Sequence, residues 1–319
     1  MLEKIQDKVV VKEKFKERYT AILGDRYDEF MDYSTSYIRR SIRVNTAKIG
    51  VPEIRKRLEK NWTLEPVPWC KEGFWIDHRG KGDDKRYDLG NVLEHILGYV
   101  YVQDAASMIP PIVLEPQPGE VVLDMCAAPG SKTCQIAAMM QNKGLLIANE
   151  PQGNRLKPLG LNLQRMGISN ALATKMPGHF FRRVNLKFDR VLVDAPCSGT
   201  GTVRRSLATL MMWSPAFVRK MASQQKTLIE SGFEILKKGG TMVYSTCTME
   251  PEEDEGVVSW LLDNYPDAHL EEIKLDIKRS PAITEFDGIK YNPEVGKCLR
   301  IWPQDNDSEG FFVAKIVKR

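Results

Sequence analysis

The 319-residue chain has no apolar run near the roughly 20 residues that a membrane-spanning helix needs. Its opening, MLEKIQDKVVVKEKFKERY, has no apolar core of the signal-peptide kind. A cytoplasmic location and no membrane partner are therefore expected. Cysteine and histidine are sparse. The six cysteines are Cys70, Cys126, Cys134, Cys197, Cys247 and Cys298, and the four histidines are His78, His95, His179 and His269. No cysteines stand as Cys-x-x-Cys and the histidines lack metal-ligand spacing, so no metal is expected. Without a secretory signal, a disulfide framework is not expected either. Also missing are G-x-x-x-x-G-K-[ST] and G-x-G-x-x-G, which removes a Walker loop and leaves a dinucleotide fold poorly supported. A net charge of +4 permits a nucleic-acid partner without demanding one.

What is present begins with VVLDMCAAPGSKT, Val121 to Thr133. Apolar residues lead to Asp124, small residues and a Pro-Gly turn follow, and Ser131 to Thr133 open an amphipathic run. This reads as a strand, a tight turn and a helix start, where free N–H groups and the positive dipole end meet a ligand. DRVLVDAPCSGTG (Asp189 to Gly201) and GGTMVYSTCTMEPEEDE (Gly239 to Glu255) each end a strand on a cysteine. LLIANE, GNRLKPLGLNLQRMG and ALATKM supply the intervening strands and helix, the helix closed by Gly167. SPAFVRKMASQQKTLIESGFEILKKGG reads as a long helix with Ser214 as N-cap, Pro215 in the first turn and Gly239 as C-cap. PEEDEGVVSWLLDNYP reads as a helix with an acidic first turn. CLRIWP and GFFVAKIVK are strands, one of them antiparallel at or near the sheet edge. The alternation implies an α/β fold: a doubly wound, mostly parallel sheet with helices on both faces. Its active strand ends should meet at the carboxyl edge.

Residues 1–100 read as a small α+β domain and residues 101–319 as the catalytic domain. The small domain opens with helical spacing, continues through a strand in SIRVNTAKI and a helix in VPEIRKRLEKN, and ends in Trp- and Pro-rich strand and loop pieces, WTLEPVPWCKEGFWIDHRGKGDDKR. Arg39, Arg40, Arg43, Trp69, Trp75, Arg79, Lys81, Lys85 and Arg86 are its candidates for phosphate contact and base stacking. The plainer reading of each, and the usual one for charge runs, is a solvated face over a small core.

A first loop without a phosphate grip, followed by an acid on the next strand, suits an adenosyl ligand such as S-adenosyl-L-methionine. Glu150 is placed for the ribose diol. Read alone, it serves as well beside a helix N-cap. A thiol next to a methyl donor suits alkylation of an unreactive pyrimidine carbon. Thiolate addition at C6 of cytosine makes C5 nucleophilic, and a base later removes the C5 proton. Asp194 takes up charge near N3 if its pKa is raised enough to share a proton, and Lys132 lowers a thiol's pKa or neutralises the ring. Which cysteine attacks is left open by the residues.

GYVYVQDAASM, LDMCAAPGSKT, ANE with a following arginine, DAPCSGTGTVRR and MVYSTCTMEPEEDE, in this order, resemble the motifs of the Sun/Nop-type family of RNA (cytosine-5) methyltransferases, as a compact, archaeal-like member. The resemblance spans about residues 92–265 and the closing GFFVAKI. It implies a class I (Rossmann-like) methyltransferase fold. It implies S-adenosyl-L-methionine held by Cys126, Ala127, Ala128, Pro129, Gly130, Ser131 and Lys132, with Glu150 on the ribose, Arg155 following it, and Asp194 near the methionine end or the target base. It makes Cys247 the nucleophile and Cys197 the residue that helps release product. DNA cytosine-5 methyltransferases instead attack with a cysteine of the Pro-Cys type, so the reverse assignment competes. Where the family carries an acid near the adenine, this chain has Met176 and Pro177, and backbone groups are the expected substitute. Lys175, His179, Arg182, Arg183 and Lys187 make a basic patch suited to RNA. The expectation is a monomeric RNA (cytosine-5) methyltransferase acting on tRNA first and rRNA second, the need for a helper protein left open. An RNA-binding assembly factor without catalysis and an exocyclic-amine methyltransferase are the competitors. The latter would want D/N-P-P-[YF] where the chain has DAPC.

Overall fold

The computed structural model describes residues 2–6, 9–81 and 85–319. Gly82, Asp83 and Asp84, within the Trp- and Pro-rich stretch, lie outside the described residues. Four short strands, Ser41–Val44 (β1), Trp62–Val67 (β2), Cys70–His78 (β3) and Val100–Val102 (β4), form an antiparallel sheet in the order β2-β3-β1-β4. A boundary drawn between residues 100 and 101 thus passes through β4, which closes this sheet. Helix Val51–Leu58 packs Ile54 and Leu58 against Ile42, Val44, Phe74 and Ile76. Trp69 and Trp75 pack instead with Ala105, Met108 and Ile109 of the following segment.

The two helices that precede β1, Glu13–Leu23 and Tyr27–Ser34, join a different core. Phe15, Tyr19 and Phe30 cluster with Val203, Leu210, Trp213 and Trp302. Their spacing marks an apolar face but does not say what covers it.

The large sheet is built from Val121–Asp124 (β5), Leu145–Asn149 (β6), Ala171–Thr174 (β7), Phe188–Asp194 (β8) and Leu236–Thr246 (β9), all parallel in the order β7-β6-β5-β8-β9. Val122, Leu123, Val191, Leu192, Val193, Met242 and Val243 are buried, as a sheet covered on both faces requires. Beyond β9 come Ala268–Glu271 (β10), a two-stranded ribbon of Glu285–Phe286 (β11) and Ile289–Lys290 (β12), then Leu299–Ile301 (β13) and Phe311–Lys318 (β14). GFFVAKIVK runs antiparallel to β9, and CLRIWP, antiparallel to it in turn, runs in the direction of the parallel strands. β14 lies inside the sheet, with β9 on one side and the short strands β10 and β13 along the other, so these two form the edge.

Ser214 accepts from the Phe217 N–H at 3.2 Å and starts the long helix Pro215–Ile235 as its cap. The helix ends before Gly239, because Leu236 pairs with Phe188 in β9 and Lys237 reaches Asp189 at 2.7 Å. Helix Gly153–Met166 does end on Gly167, with φ of 71°. The chain runs from β5 outward to β7, then returns to β8 on the other side. This reversal opens a crevice at the carboxyl ends of β5, β6, β8 and β9.

Candidate active site

The β5 loop turns at Gly130, whose φ of 107° is in the region that favours glycine, and a Cβ there would stand 3.0 Å from Leu159 Cδ1. Helix Ser131–Met139 begins directly after it. The loop is fastened from both sides. Ala127 N–H donates to the Asn149 carbonyl at 2.8 Å, Arg155 donates to the Ala128 carbonyl at 2.7 Å, and Asn162 donates to the Pro129 carbonyl at 2.9 Å. The Ser131 carbonyl accepts from Arg43 at 3.2 Å. Cys126 is half-buried and its thiol pKa is raised by burial.

Glu150 directly follows β6 and is almost wholly buried. Its carboxylate accepts from the Gln152 N–H at 2.8 Å and lies 3.4 Å from Arg155. Gln152 caps the next helix, so the two readings of Glu150 coincide in one place. Asn149, beside it, was not singled out by the sequence reading. It donates to the Met125 and Met176 carbonyls and accepts from Thr174 and the Met176 N–H, stapling three strand ends. Both backbone groups of Met176 are therefore used by Asn149, and Pro177 has no N–H.

Asp194, at the tip of β8, lies 2.8 Å from Lys132 Nζ, which also donates to Ser107 Oγ at 3.0 Å. Ser245 donates to the other Asp194 oxygen at 2.8 Å. Both Asp194 oxygens are thus acceptors. Burial alone would lower the Lys132 pKa, but the Asp194 carboxylate, with Cys247 and Asp124, outweighs it and raises the value. Lys132 is thereby held in its ammonium form. Asp124, behind this pair, is pushed up to about 7 by burial. One of its oxygens accepts from Thr133 at 2.7 Å, and the other has no hydrogen-bond partner among the described residues.

Cys197 and Cys247 meet at the ends of β8 and β9, Sγ to Sγ at 3.4 Å. The Cys197 thiol pKa is raised well above its ordinary value, first by its hydrogen bond to Cys247 and then by burial. The two sulfurs thus lie within hydrogen-bond reach of each other. Lys132 and Arg205 are cations that face Cys247. Backbone and hydroxyl bonds lock the two loops together. Gly201 N–H donates to the Cys247 carbonyl at 3.0 Å, Gly310 N–H donates to the Gly201 carbonyl at 2.9 Å, and Thr248 Oγ1 lies 2.7 Å from Ser198 Oγ and 2.9 Å from Thr200 Oγ1. The sequence reading passed over these hydroxyls, although S-G-T and T-C-T flank the cysteines in the chain.

Of the acidic run after Cys247, only Glu255 lies in the first turn of the helix. Helix Glu255–Asn264 starts late, and Glu250, Glu253, Asp254 and Glu255 are fully buried. Their partners lie far off in sequence. Glu250 accepts from Tyr19 and Trp213 at 2.8 and 2.7 Å and pairs with Arg18. Glu253 accepts from the Ser198 N–H at 3.0 Å and from Gln225 at 2.8 Å, so it holds the Cys197 loop. Asp254 accepts from Thr246 at 2.5 Å, beside Cys247. Burial pushes Glu253 up to about 7 from the ordinary 4.5. Its raised folded pKa means that stability is full below pH 4.5 and falls as pH rises through about 7. Glu253→Gln removes this dependence. Urea unfolding at pH 5 and pH 8 should show the variant gaining, relative to wild type, about 1–3 kcal/mol over that interval. An unchanged difference would mean that Glu253 is ionised at both values.

Among the proposed RNA contacts, Arg43, Trp69 and Trp75 are buried and structural. Arg43 donates to Gln103 at 2.9 Å and to Ser131, and Trp69 donates to the Ala105 carbonyl at 2.8 Å. Arg40, Arg79, Lys81 and Arg86 are exposed, with Arg39 and Lys85 partly so. In the second patch Arg182 is taken by Ser231 and Glu230, and Lys187 by the Glu234 carbonyl.

A parallel sheet with β14 inserted antiparallel, carrying a ligand turn after its first strand and polar tips on the neighbouring strands, defines a class I methyltransferase. The family model described as 16S rRNA methyltransferase RsmB/F matches residues 111–317, and that of the N-terminal domain of 16S rRNA methyltransferase RsmF matches residues 11–105. A tRNA (cytosine(49)-C(5))-methyltransferase of Pyrococcus abyssi is 46% identical over 97% of this chain and 96% of its own length. The ribosomal RNA small subunit methyltransferase F of Shewanella oneidensis is 45% identical over 91% of the chain, which spans only 60% of that relative. A crystal structure of a methyltransferase homolog protein from Pyrococcus horikoshii superposes with a TM-score of 0.86 at 37% identity, covering 97% of this chain and 95% of that one. The chain belongs to the RsmB/F (Sun/Nop) family and is an RNA (cytosine-5) methyltransferase.

Proposed function

We propose that the chain methylates C5 of a cytosine in tRNA, using S-adenosyl-L-methionine and a transient bond between Cys247 and C6. The observation that carries this is the 3.4 Å contact between the Cys247 sulfur and that of Cys197, whose thiol pKa is raised. A thiol that donates to its neighbour stabilises that neighbour's thiolate.

The donor set of the crevice suits the cofactor. Asp124, Glu150 and Asp194 bring three carboxylates to a helix N-terminus, and Lys132 is already engaged by Asp194. Such a set repels phosphates and welcomes a sulfonium, an ammonium and a ribose diol. Cys126 to Lys132, with Glu150, Arg155 and Asp194, would hold S-adenosyl-L-methionine, which when bound supplies an electrophilic methyl group.

The residues of the chain do the rest. The target base leaves its stack to reach the crevice, at a cost of a few kcal/mol unless it is already unpaired. Cys247 Sγ forms a bond to C6 and the electron pair of the C5–C6 double bond moves to the ring. Lys132, held by Asp194, offers its proton-bearing ammonium where negative charge gathers at N3. C5 takes the methyl group, a base then takes the C5 proton, and the returning electron pair expels Cys247. Cys197, beside the leaving sulfur, assists this last step.

The match to a tRNA enzyme over 96% of that enzyme's length favours tRNA over rRNA, since the chain spans only 60% of the rRNA relative. Labelled S-adenosyl-L-methionine with unmodified tRNA and 16S rRNA transcripts tests this. We expect 5-methylcytosine in the tRNA, with position 49 the first to inspect. Label confined to the rRNA would reverse the substrate, and none in either would end the reading.

A further inference from the structure

A second cavity, of about 750 Å³, lies where the small sheet meets the catalytic domain. This is within the roughly 300–1,000 Å³ of small-molecule sites. Its walls are flat rings and guanidinium planes. Arg39 Cζ stands 4.3 Å above the Trp75 ring, and Arg40 Cζ stands 4.7 Å above the Tyr87 ring. Tyr37 and Tyr87 are each 55% exposed. Two aromatic rings left open to water at one cavity, one of them carrying an exposed arginine, suit stacking of nucleic-acid bases. The cavity also contains Glu3, Glu65 and Asp77, with Glu65 paired to Arg39 and Asp77 to Lys85. This balance disfavours a cluster of phosphates and leaves Arg40 for a single one.

The cavity is tied to the reacting sulfur. Arg204, on its wall, donates to the Ser36 carbonyl at 3.2 Å and to the Tyr37 carbonyl at 2.7 Å. The next residue, Arg205, pairs with Glu309 and faces Cys247. Three residues before Arg204, Gly201 donates to the Cys247 carbonyl. One short run, Gly201 to Arg205, therefore spans from the nucleophile to the cavity.

We propose that this cavity holds an unpaired nucleotide flanking the target cytosine, its base stacked against Tyr87 and its phosphate beside Arg40. The inference rests on the reading of the chain as an RNA methyltransferase that acts on tRNA. Its test is the affinity of the full chain for an unmodified, fluorescently labelled tRNA transcript, measured by anisotropy, with turnover recorded in parallel. Tyr87→Ala should weaken RNA binding roughly 5- to 100-fold. It should leave kcat at saturating RNA and the KM for S-adenosyl-L-methionine within twofold. Tyr87→Phe should bind as wild type, because stacking uses the ring and not the hydroxyl. Arg40→Ala should weaken binding and reduce the slope of log K against log salt by about 1. Wild-type affinity in Tyr87→Ala, an equal loss in Tyr87→Phe, or a wild type that does not bind the transcript would each overturn the proposal. A wild type that binds without methylating would overturn the catalytic reading, and the Tyr87 comparison would still decide this one.

Discussion

Alanine at Cys247 is expected to lower turnover by more than about 10,000-fold, since it removes the group that makes C5 nucleophilic. No protein–RNA species should then survive denaturation. Alanine at Cys197 should act on the other half of the cycle. Cys247 still attacks, the methyl group is transferred, and release slows, so a denaturation-resistant adduct builds up while turnover falls. The asymmetry follows from the two roles, Cys247 bonding to C6 and Cys197, its thiol pKa raised, standing 3.4 Å away beside the leaving sulfur. Gel analysis of both variants with tRNA and S-adenosyl-L-methionine checks it. An adduct in Cys247→Ala and none in Cys197→Ala would exchange the two roles.

Methionine at Arg300 is expected to cost about 3–5 kcal/mol, which for a chain of this size lowers Tm by about 4–8 °C. Arg300 is fully buried. It donates to Glu255 at 2.8 and 2.5 Å, to Asp254 at 2.9 Å and to the Met249 carbonyl at 3.1 Å. Burial alone would lower its pKa, but Glu255 and Asp254 raise it. Burial drives Asp254 in the opposite sense, raising its pKa well above the ordinary value, with Arg300 holding it down. Removing the cation strands both carboxylates, and the Thr246–Asp254 bond beside Cys247 loosens with them. Thermal melts and turnover should therefore fall together. Adding Asp254→Asn and Glu255→Gln to Arg300→Met should recover part of the Tm, because the stranded charge is gone. A single variant with unchanged Tm would show that water enters and solvates the pair.

The parts of this enzyme legible in the chain are those carried by local pattern. Strand–helix alternation announced the parallel sheet, and the Pro-Gly turn, DAPC and STC stretches lie at neighbouring strand tips. Three features escaped because their partners are remote in sequence. The Glu250 to Glu255 run resembles a helix start on local grounds, yet each carboxylate is claimed by Arg18, Gln225, Ser198 or Arg300. Phe15, Tyr19 and Phe30 show an apolar face, but only the fold assigns it to Trp213 and Trp302. Arg43 and Trp69 look like RNA contacts by residue type and are instead braces under the β5 loop and the segment before it. Residue type suggests a chemistry, and burial decides whether the residue is free to perform it.

The most direct measurement uses tRNA transcribed with 5-fluorocytidine. Fluorine at C5 cannot leave as a proton does, so the cycle stalls with the enzyme still bonded to C6. Mass spectrometry of the digested adduct then names the attached residue. The account predicts a single modified peptide carrying the nucleotide on Cys247, with Cys197 unmodified. Attachment at Cys197, or methylation that proceeds with no trapped species, would contradict it.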